Sequence, residues 1–395
     1  MSDKSLVAVA MSGGVDSSVA ALLLRQQGYR IVGLTMQLVP CGGEKVGGCC
    51  GIEAVRSAQK VCKKLGVPHY VVNFCEPFKQ TVIKNFIQEY GRGHTPNPCV
   101  ACNEKIKFDL LLKKALDIGA DYLATGHYAI KKSKKQKAKS KIIYELQKGK
   151  DKNKDQSYFL YRLTQSQLKY LLFPLGNLTK PQVRRLAAKA GLPTATKPES
   201  QEICFIPDNN YRKFLAGAVS VKNEPGLIVD KKGKILGRHS GLSQYTIGQR
   251  KRLGCLKIKN QKSKIKITSQ KSKTAENQIR PHYVIKIDVK NNKLIVGAEK
   301  DLYQKKCLAK NVNWINGQVP KLPFSVVAKI RYRSPVAKVT LKKQGQNLLC
   351  RFVKPQRAIT PGQSIVFYLP RGRKATLRGQ GSQVLGGGII ELAID

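Results

Sequence analysis

The sequence predicts an α/β protein in which a doubly wound parallel sheet is followed by a small central domain and a C-terminal β-barrel. Up to His127, apolar runs alternate with helical patterns, as in a parallel sheet. From Gly226 onward, short strand-like segments are separated by turns. A chain of 395 residues is also too long for one ordinary core. We predict domains over residues 1–212, 213–282 and 283–395.

Four strands and four helices are predicted in the first domain. Ligands in such a sheet bind beyond the carboxyl ends of the strands, so we expect the site at that edge. A glycine closes each helix, at Gly28, Gly66, Gly91 and Gly119. The predicted strands are Leu6 to Met11, Ile31 to Met36, His69 to Phe74 and Asp121 to Thr125, and the helices are Val19 to Gln27, Ile52 to Leu65, Pro77 to Tyr90 and Glu104 to Asp117.

After His127 the residue composition and the predicted elements change. Lys131 to Lys154 is lysine-rich and predicts a solvated insertion with one strand from Ile142 to Leu146, and Lys257 to Thr274 is a second such tract that we expect to be mobile. Helices are predicted over Gln165 to Leu172 and Pro181 to Ala190. The later predicted strands are Leu227 to Val229, Tyr245 to Ile247, Tyr283 to Asp288, Leu294 to Val296, Phe324 to Ile330, Ala337 to Leu341, Leu348 to Val353, Ser364 to Tyr368 and Ile389 to Leu392.

The segment Ser12-Gly13-Gly14-Val15-Asp16-Ser17-Ser18 lies where the first strand becomes the first helix. Helical N–H groups without partners and the helix dipole favour a bound phosphate there, and glycine lets it approach closely. The lysine of the commoner ATP loop is absent. This favours a loop that binds the pyrophosphate leaving group of ATP while a nucleophile attacks the α-phosphorus. Asp16 is a candidate ligand for a Mg²⁺ shared with the phosphates. The alternative is a serine-rich turn that only starts a helix.

Further candidates for the nucleotide site lie at the same edge of the sheet. Ala10 and Met11 end the first strand, and Gly126 follows the last one. Met36 ends the second strand and is placed to contact an adenine by its side chain or backbone, although a lone methionine is more often part of a core. The predicted ATP-binding residues are therefore Ala10, Met11, Ser12, Gly13, Gly14, Val15, Asp16, Ser17, Ser18, Met36 and Gly126.

The chain is strongly basic, with 72 Lys and Arg residues against 24 Asp and Glu, a formal charge of +48. Such a field attracts polyanions and favours nucleic acid as a partner, although lysine enrichment can also serve solubility. No apolar run approaches the length of a membrane span and no secretory signal is evident, so we expect a cytoplasmic protein without membrane contact. The eleven cysteines are then expected to be thiols, metal ligands or redox groups rather than disulfides.

Two cysteines are spaced for chemistry. Cys99 and Cys102 lie just ahead of a predicted helix, where the dipole stabilises a thiolate and makes Cys102 a candidate nucleophile. The same spacing is half of a tetrahedral metal site, but no second half is found. Cys204 is flanked by apolar residues and is predicted from its local context to be a core cysteine. Cys41, Cys49 and Cys50 cluster in a glycine-rich loop without a secure ligand spacing.

Six motifs in order resemble the tRNA-specific 2-thiouridylase family, a branch of the PP-loop pyrophosphatases with an adenine nucleotide alpha hydrolase-like fold. The resemblance implies ATP-dependent sulfur insertion at carbon 2 of the wobble uridine, with Cys102 as the nucleophile, Cys204 as the persulfide carrier and a separate sulfur donor protein. The motifs are Ser12 to Ser18, Thr95 to Phe108, Thr125 to Tyr128, Lys154 to Leu160, Ile203 to Ile206 and Tyr245 to Arg250.

The resemblance also implies which residues meet tRNA. Asn97, Pro98 and Cys99 would border a target base that is turned out of its stack. The residues that would contact the rest of the tRNA are His127, Lys154, Asp155, Gln156, Arg331, Tyr332, Arg333 and Gln363.

One departure from the family leaves the sulfur chemistry open. Many members carry Asp at the position of Cys99, so here Cys99, Cys102 and Cys204 form a set of three thiols that can hold a [4Fe–4S] iron–sulfur cluster. The competing mechanism is a relay in which Cys102 and Cys204 close a disulfide. Two other functions stay open: another PP-loop ligase of the lysidine or argininosuccinate synthetase type, and a non-catalytic RNA-binding protein.

Overall fold

A computed structural model describes residues 5–39, 51–135, 142–199, 203–206, 210–218, 224–251, 253, 282–370 and 383–394. The predicted mobile tract from Lys257 to Thr274 and the cysteines Cys41, Cys49 and Cys50 lie outside these residues.

The strands, in chain order, are β1 (Leu6–Ala10), β2 (Arg30–Gln37), β3 (His69–Asn73), β4 (Tyr122–Ala124), β5 (Ala129–Lys135), β6 (Ile142–Lys148), β7 (Leu171–Leu172), β8 (Gly226–Val229), β9 (Ile235–His239), β10 (Tyr283–Asp288), β11 (Lys293–Gly297), β12 (Tyr303–Trp314), β13 (Phe324–Lys329), β14 (Ala337–Gln344), β15 (Asn347–Arg357), β16 (Ser364–Tyr368) and β17 (Gln383–Ile394). The helices are α1 (Val15–Gln26), α2 (Ile52–Leu65), α3 (Cys75–Phe78), α4 (Lys84–Gly91), α5 (Pro98–Cys102), α6 (Leu112–Asp117), α7 (Gln165–Lys169), α8 (Lys180–Lys189) and α9 (Tyr211–Ala216), with π-helical turns over Lys79–Ile83 and Asn103–Leu111 that join α3 to α4 and α5 to α6.

A five-stranded parallel sheet in the order β3-β2-β1-β4-β7 forms the N-terminal domain. Its central strand β1 is buried on both faces, as the apolar run predicts. Val7 and Val9 pack with α1, α2 and α8 in one core. Ala8 faces the opposite core, which contains residues of α3, α4 and α6. Helices on both faces confirm the predicted doubly wound sheet.

Six strands close the C-terminal barrel, in the order β12-β15-β14-β13-β16-β17 with β17 paired back to β12. This confirms the predicted β-barrel, whose core contains Val326, Leu341 and Phe367. The hairpin β5–β6 also joins this sheet, because β6 pairs with β17. The predicted strand from Ile142 to Leu146 is confirmed as part of β6, and residues 132–135 of β5 are exposed, as a solvated insertion requires. The sequence did not predict that β6 pairs with the barrel strand β17.

The central sheet has the order β10-β11-β8-β9 and packs around Ile228, Val284 and Leu294. The predicted strand from Tyr245 to Ile247 is instead irregular backbone after a 3₁₀ turn over Leu242–Gln244. Because β10 and β11 pair with each other and β11 pairs with β8, we propose to place the last domain boundary after Gly297 rather than at residue 282.

Candidate active site

The segment from Ser12 to Ser18, called the loop below, joins the carboxyl end of β1 to the first turn of α1, as predicted. The Ser17 and Ser18 hydroxyls donate to the Gly14 carbonyl oxygen over 3.1 and 2.8 Å, and the Ser12 amide donates to Ser17 Oγ over 3.2 Å. The Thr35 hydroxyl fixes the start of the loop by donating to the Met11 carbonyl oxygen over 2.9 Å. The loop is therefore held in shape before any ligand arrives.

Two glycines make the loop sterically feasible. Gly13 has φ +66°, and a Cβ at this position would lie 2.3 Å from the carbonyl oxygen of Ala54 at the start of α2. A Cβ on Gly126 would lie 2.8 Å from the backbone of Asp16 and Ser17. The predicted Gly126 is thus in contact with the loop. Met36 is only 8% exposed and packs in the core, the more ordinary of its two predicted roles.

Asp16 does not offer an open carboxylate. Lys180 at the start of α8 places Nζ 2.7 Å from both of its carboxylate oxygens, and the Tyr128 hydroxyl donates to Oδ1 over 2.8 Å. Burial and the charge of Asp16 raise the pKa of Tyr128, which therefore keeps its proton. An ammonium ion in contact with both oxygens occupies the place of a metal cation. Asp16 thus does not fit the predicted role of Mg²⁺ ligand in this arrangement.

Two lysines from distant parts of the sequence, Lys180 and Lys197, contact the loop. Besides Asp16, Lys180 contacts Glu199, whose other partner is Lys154. Burial raises the pKa of Glu199, but the hydrogen bond from Lys154 and the charge of Lys180 outweigh burial and hold this pKa below its ordinary value. Lys197 donates to the Gly13 carbonyl oxygen and to Ser57, each over 3.0 Å. No motif in the sequence indicated Lys180, Lys197 or Glu199, because the two lysines lie far along the chain from the loop and Glu199 is linked to it through Lys180.

The two spaced cysteines lie on a helix that begins earlier than predicted. Asn97 accepts a hydrogen bond from the Cys99 amide over 3.1 Å and Pro98 is the first helical residue, so α5 starts six residues before the predicted Glu104. Cys99 therefore occupies the first turn and is exposed, whereas Cys102 is one turn inside the helix and 8% exposed. The helix dipole therefore favours a thiolate at Cys99 more than at Cys102.

Cys204 and Cys102 pack against the same apolar cluster. Cys102 belongs to it, Cys204 is partly buried against it, and Phe205 makes edge contacts with Phe78 and Phe86 within it. Cys99, Cys102 and Cys204 are all thiols here. Over the described ranges, no three His, Cys, Asp or Glu side chains lie close enough to hold a metal ion. These three cysteines therefore do not fit the predicted iron–sulfur cluster in this conformation.

Several residues that the family resemblance links to tRNA have internal contacts. His127 bonds to Thr125 through Nδ1 over 2.7 Å, and burial together with the charge of Lys107 lowers its pKa to about 3, so it is neutral near pH 7. Asp155 is 8% exposed and accepts hydrogen bonds from the Gly149 and Ser157 amides. Gln156 bonds to the Tyr128 amide. These three side chains stabilise the fold beside the loop.

In the barrel, two more such residues tie the domains together. Arg331 donates to the carbonyl oxygens of Ile247 and Ala358, each over 3.1 Å, and so joins the central domain to the barrel. Gln363 donates to the Thr95 carbonyl oxygen over 2.7 Å, two residues before Asn97. The barrel therefore helps to position the segment that leads into α5, the helix that carries Cys99.

The remaining members of the set are more accessible. The Tyr332 ring lies 4.6 Å from that of Phe159, with the Lys329 ammonium 5.6 Å from the Tyr332 ring centre. Arg333 is exposed, and the side chain of Lys154 is 37% exposed. These residues offer an aromatic face and cations at the surface, which is the chemistry that nucleic acids contact.

Comparison with known proteins assigns the chain to a family. A model described as the tRNA methyl transferase HUP domain matches residues 5–208, the corresponding PRC-barrel domain matches 212–298, and an aminomethyltransferase beta-barrel domain matches 304–390. The tRNA-specific 2-thiouridylase MnmA 1 of Caldanaerobacter subterraneus is 46% identical over 390 residues, 98% of this chain and 97% of the relative. The chain belongs to the tRNA-specific 2-thiouridylase family.

Other members of the 2-thiouridylase family match as fully. MnmA of Carboxydothermus hydrogenoformans is 46% identical over 392 residues, covering 98% of this chain and 97% of the relative. A solved 4-thiouridine synthetase–RNA complex with bound ATP is 16% identical, covers 54% of this chain and 50% of its own, and has a TM-score of 0.33, from which we draw nothing. Among the helices described here, none is long and apolar enough to cross a membrane.

Proposed function

We propose that this chain is an ATP-dependent tRNA 2-thiouridylase. The observation that carries the proposal is full-length similarity to this family together with an intact pyrophosphate loop and both cysteines of the sulfur chemistry. A non-catalytic RNA-binding protein would not need the preformed loop. A PP-loop ligase that moves no sulfur would not need Cys102 and Cys204.

The loop is the proposed ATP site. The backbone from Ala10 to Ser18 would hold the phosphates at the start of α1, with Gly126 behind it and the backbone near Met36 at the adenine. The C2 oxygen of the target uridine attacks the α-phosphorus of ATP and pyrophosphate leaves, which converts a poor leaving group into AMP. Asn97, Pro98 and Cys99 would border the flipped base, since they form the start of α5 and Cys99 is exposed there.

Sulfur transfer follows through the two cysteines. A sulfur donor protein, of the cysteine desulfurase or sulfur relay type, loads Cys204 as a persulfide. The terminal sulfur attacks C2 and displaces AMP, leaving a C2–S–S–Cys204 bond. The Cys102 thiolate then attacks Cys204 Sγ, which releases the thiolated base and closes a Cys102–Cys204 disulfide. A cellular thiol or dithiol reductant supplies the two electrons that reopen it.

The relay is favoured over the cluster by the placement of the cysteines. Cys99 lies on the exposed side of α5, whereas Cys102 and Cys204 pack against the buried cluster, so the pair shares surroundings that the third thiol does not. The relay needs only that pair. A reducing compartment must keep both thiols available, so we propose that the protein acts in the cytoplasm.

The direct test is formation of 2-thiouridine. The purified chain is incubated with ATP, cysteine, a cysteine desulfurase and tRNA that lacks the modification. The tRNA is then digested, and its nucleosides are separated and identified by mass spectrometry. We expect one AMP and one pyrophosphate per 2-thiouridine. Pyrophosphate release without any thiolated nucleoside under full sulfur supply would contradict the proposal, and omission of ATP is the control.

The charge of +48 makes a further prediction for tRNA binding. Contacts between lysines and phosphates release counterions, so the affinity for tRNA should fall by about 10²-fold or more between roughly 50 and 200 mM salt. Filter binding or fluorescence anisotropy over that range measures the slope. A flat response would mean that the interface does not depend on phosphate contacts.

A further inference from the structure

We propose that Lys180 is the cation that binds the β- and γ-phosphates of ATP in this loop. The inference rests on the proposed function and adds a residue to its ATP site. The commoner ATP loop carries its own lysine, and this loop has none. The fold supplies a lysine from the first turn of α8 instead, 164 residues along the chain from Asp16.

The geometry places this lysine at the loop and out of water. Lys180 Nζ lies 2.7 Å from both carboxylate oxygens of Asp16, in the first turn of α1, and its side chain is only 9% exposed. The Asp16 side chain is 34% exposed, so its carboxylate stays partly hydrated while the ammonium of Lys180 is desolvated, and such an ion pair gives little net stability. The arrangement is therefore better explained by a function than by stability alone.

The two carboxylates can release Lys180 without being left unpaired. Asp16 keeps the Tyr128 hydroxyl at 2.8 Å, and Glu199 keeps its ion pair with Lys154. An entering polyphosphate can thus take over the ammonium while each carboxylate retains a hydrogen-bond donor. Glu199, shared between Lys180 and Lys154, also links the nucleotide end of the network to a residue proposed to contact tRNA.

A second lysine adds to the field at the loop. The two hydrogen bonds of Lys197 go to neutral oxygens, the Gly13 carbonyl and the Ser57 hydroxyl. Its charge is not cancelled by these partners and favours an anion in the loop. Lys180 on α8 and Lys197 in the segment after it would therefore neutralise the charge of the β- and γ-phosphates, the role predicted for a Mg²⁺ held by Asp16.

The test compares two nucleotides on the full chain without tRNA. Lys180→Gln should weaken binding of a non-hydrolysable ATP analogue by about 10-fold or more, because a charge-assisted contact is lost, and should change AMP affinity by less than about 3-fold. Calorimetry and the nucleotide-induced shift in melting temperature measure both. The control Lys189→Gln removes an exposed charge from the same helix and should change neither affinity.

The outcomes separate this role from a structural one. Equal losses of ATP-analogue and AMP affinity would show that Lys180 only shapes the loop, and no loss would also overturn the inference. Should Lys180→Gln fail to fold, Asp16→Asn is the second variant. It removes the carboxylate that neutralises Lys180, so the affinity for the ATP analogue should be retained or increased, whereas a Mg²⁺ ligand at Asp16 requires a decrease. Both readouts are independent of thiolation.

Discussion

Replacing Cys102 or Cys204 with serine is expected to lower 2-thiouridine formation by about 10³-fold or more while ATP-dependent pyrophosphate release continues. The reason is that serine cannot carry a persulfide and is not ionised near neutral pH. Adenylation of the uridine therefore continues, whereas sulfur transfer is blocked. Cys102→Ser should also trap the tRNA on Cys204 as a mixed disulfide, which a gel without reductant detects. Cys204→Ser should give no such species.

Two further cysteine variants make this result specific. Cys99→Ser separates the relay from the cluster, because a relay through Cys102 and Cys204 continues at a reduced rate whereas a cluster that needs three thiols loses all transfer. Cys350→Ala removes a buried cysteine from the barrel and should leave the rate unchanged. Unchanged 2-thiouridine formation by both the Cys102 and the Cys204 variants would overturn the relay. Pyrophosphate release without 2-thiouridine, in the original chain as well as in both variants, would instead point to a PP-loop ligase that moves no sulfur.

The sequence predicts those parts of the fold and of the site whose conformation is determined by neighbouring residues. An apolar strand, two glycines and three serines at a strand-to-helix junction specify their own conformation, and the predicted loop is present with Gly13 at φ +66°. The helix from Ile52 to Leu65 was predicted with the same bounds for a similar reason, since its apolar spacing and Gly66 are both local signals. Each depends only on neighbours along the chain.

The parts that depend on distant contacts could not be predicted in this way. Lys180 and Asp16 meet only because α8 packs beside α1, and nothing in the short segment around Lys180 indicates its partner. The start of α5 lies six residues before the predicted Glu104, because Asn97 caps the helix and Pro98 is its first residue. The pairing of β6 with β17 could not be predicted, because the two strands lie more than 200 residues apart in the sequence.

The tRNA contacts that the resemblance implies for two barrel residues stay predictions, because both side chains also have internal partners. Arg331 and Gln363 were linked to tRNA, yet their donors bond to backbone oxygens of other segments, including Thr95 near the cysteine helix. A motif match shows that a residue type is in place but not which way its side chain points. A loss of tRNA modification in an Arg331 or Gln363 variant would therefore report domain positioning as readily as lost tRNA contact.

Substituting alanine for Gly13 is expected to abolish nucleotide binding, with ATP affinity reduced by about 10²-fold or more. The new Cβ would lie 2.3 Å from the Ala54 carbonyl oxygen and 2.9 Å from two further backbone atoms of Ala54, which cannot turn away as a side chain can. The loop must shift away from α2 and lose the Lys197 contact to the Gly13 carbonyl oxygen. Calorimetry with ATP and AMP should show that both lose affinity, unlike the Lys180 variant.

Gly119→Ala separates this steric effect from backbone strain. Gly119 ends the helical stretch through α6 with φ +80°, and a Cβ there meets nothing within 4 Å. Both variants place alanine in the left-handed region and should lose about 1–2 kcal/mol of unfolding free energy for that reason. Only Gly13→Ala should also lose ATP, because only its Cβ meets the backbone behind the phosphate loop. If the two variants bound ATP equally well, the loop from Ser12 to Ser18 would not be the nucleotide site, and the adenylation step proposed for this chain would have to occur elsewhere.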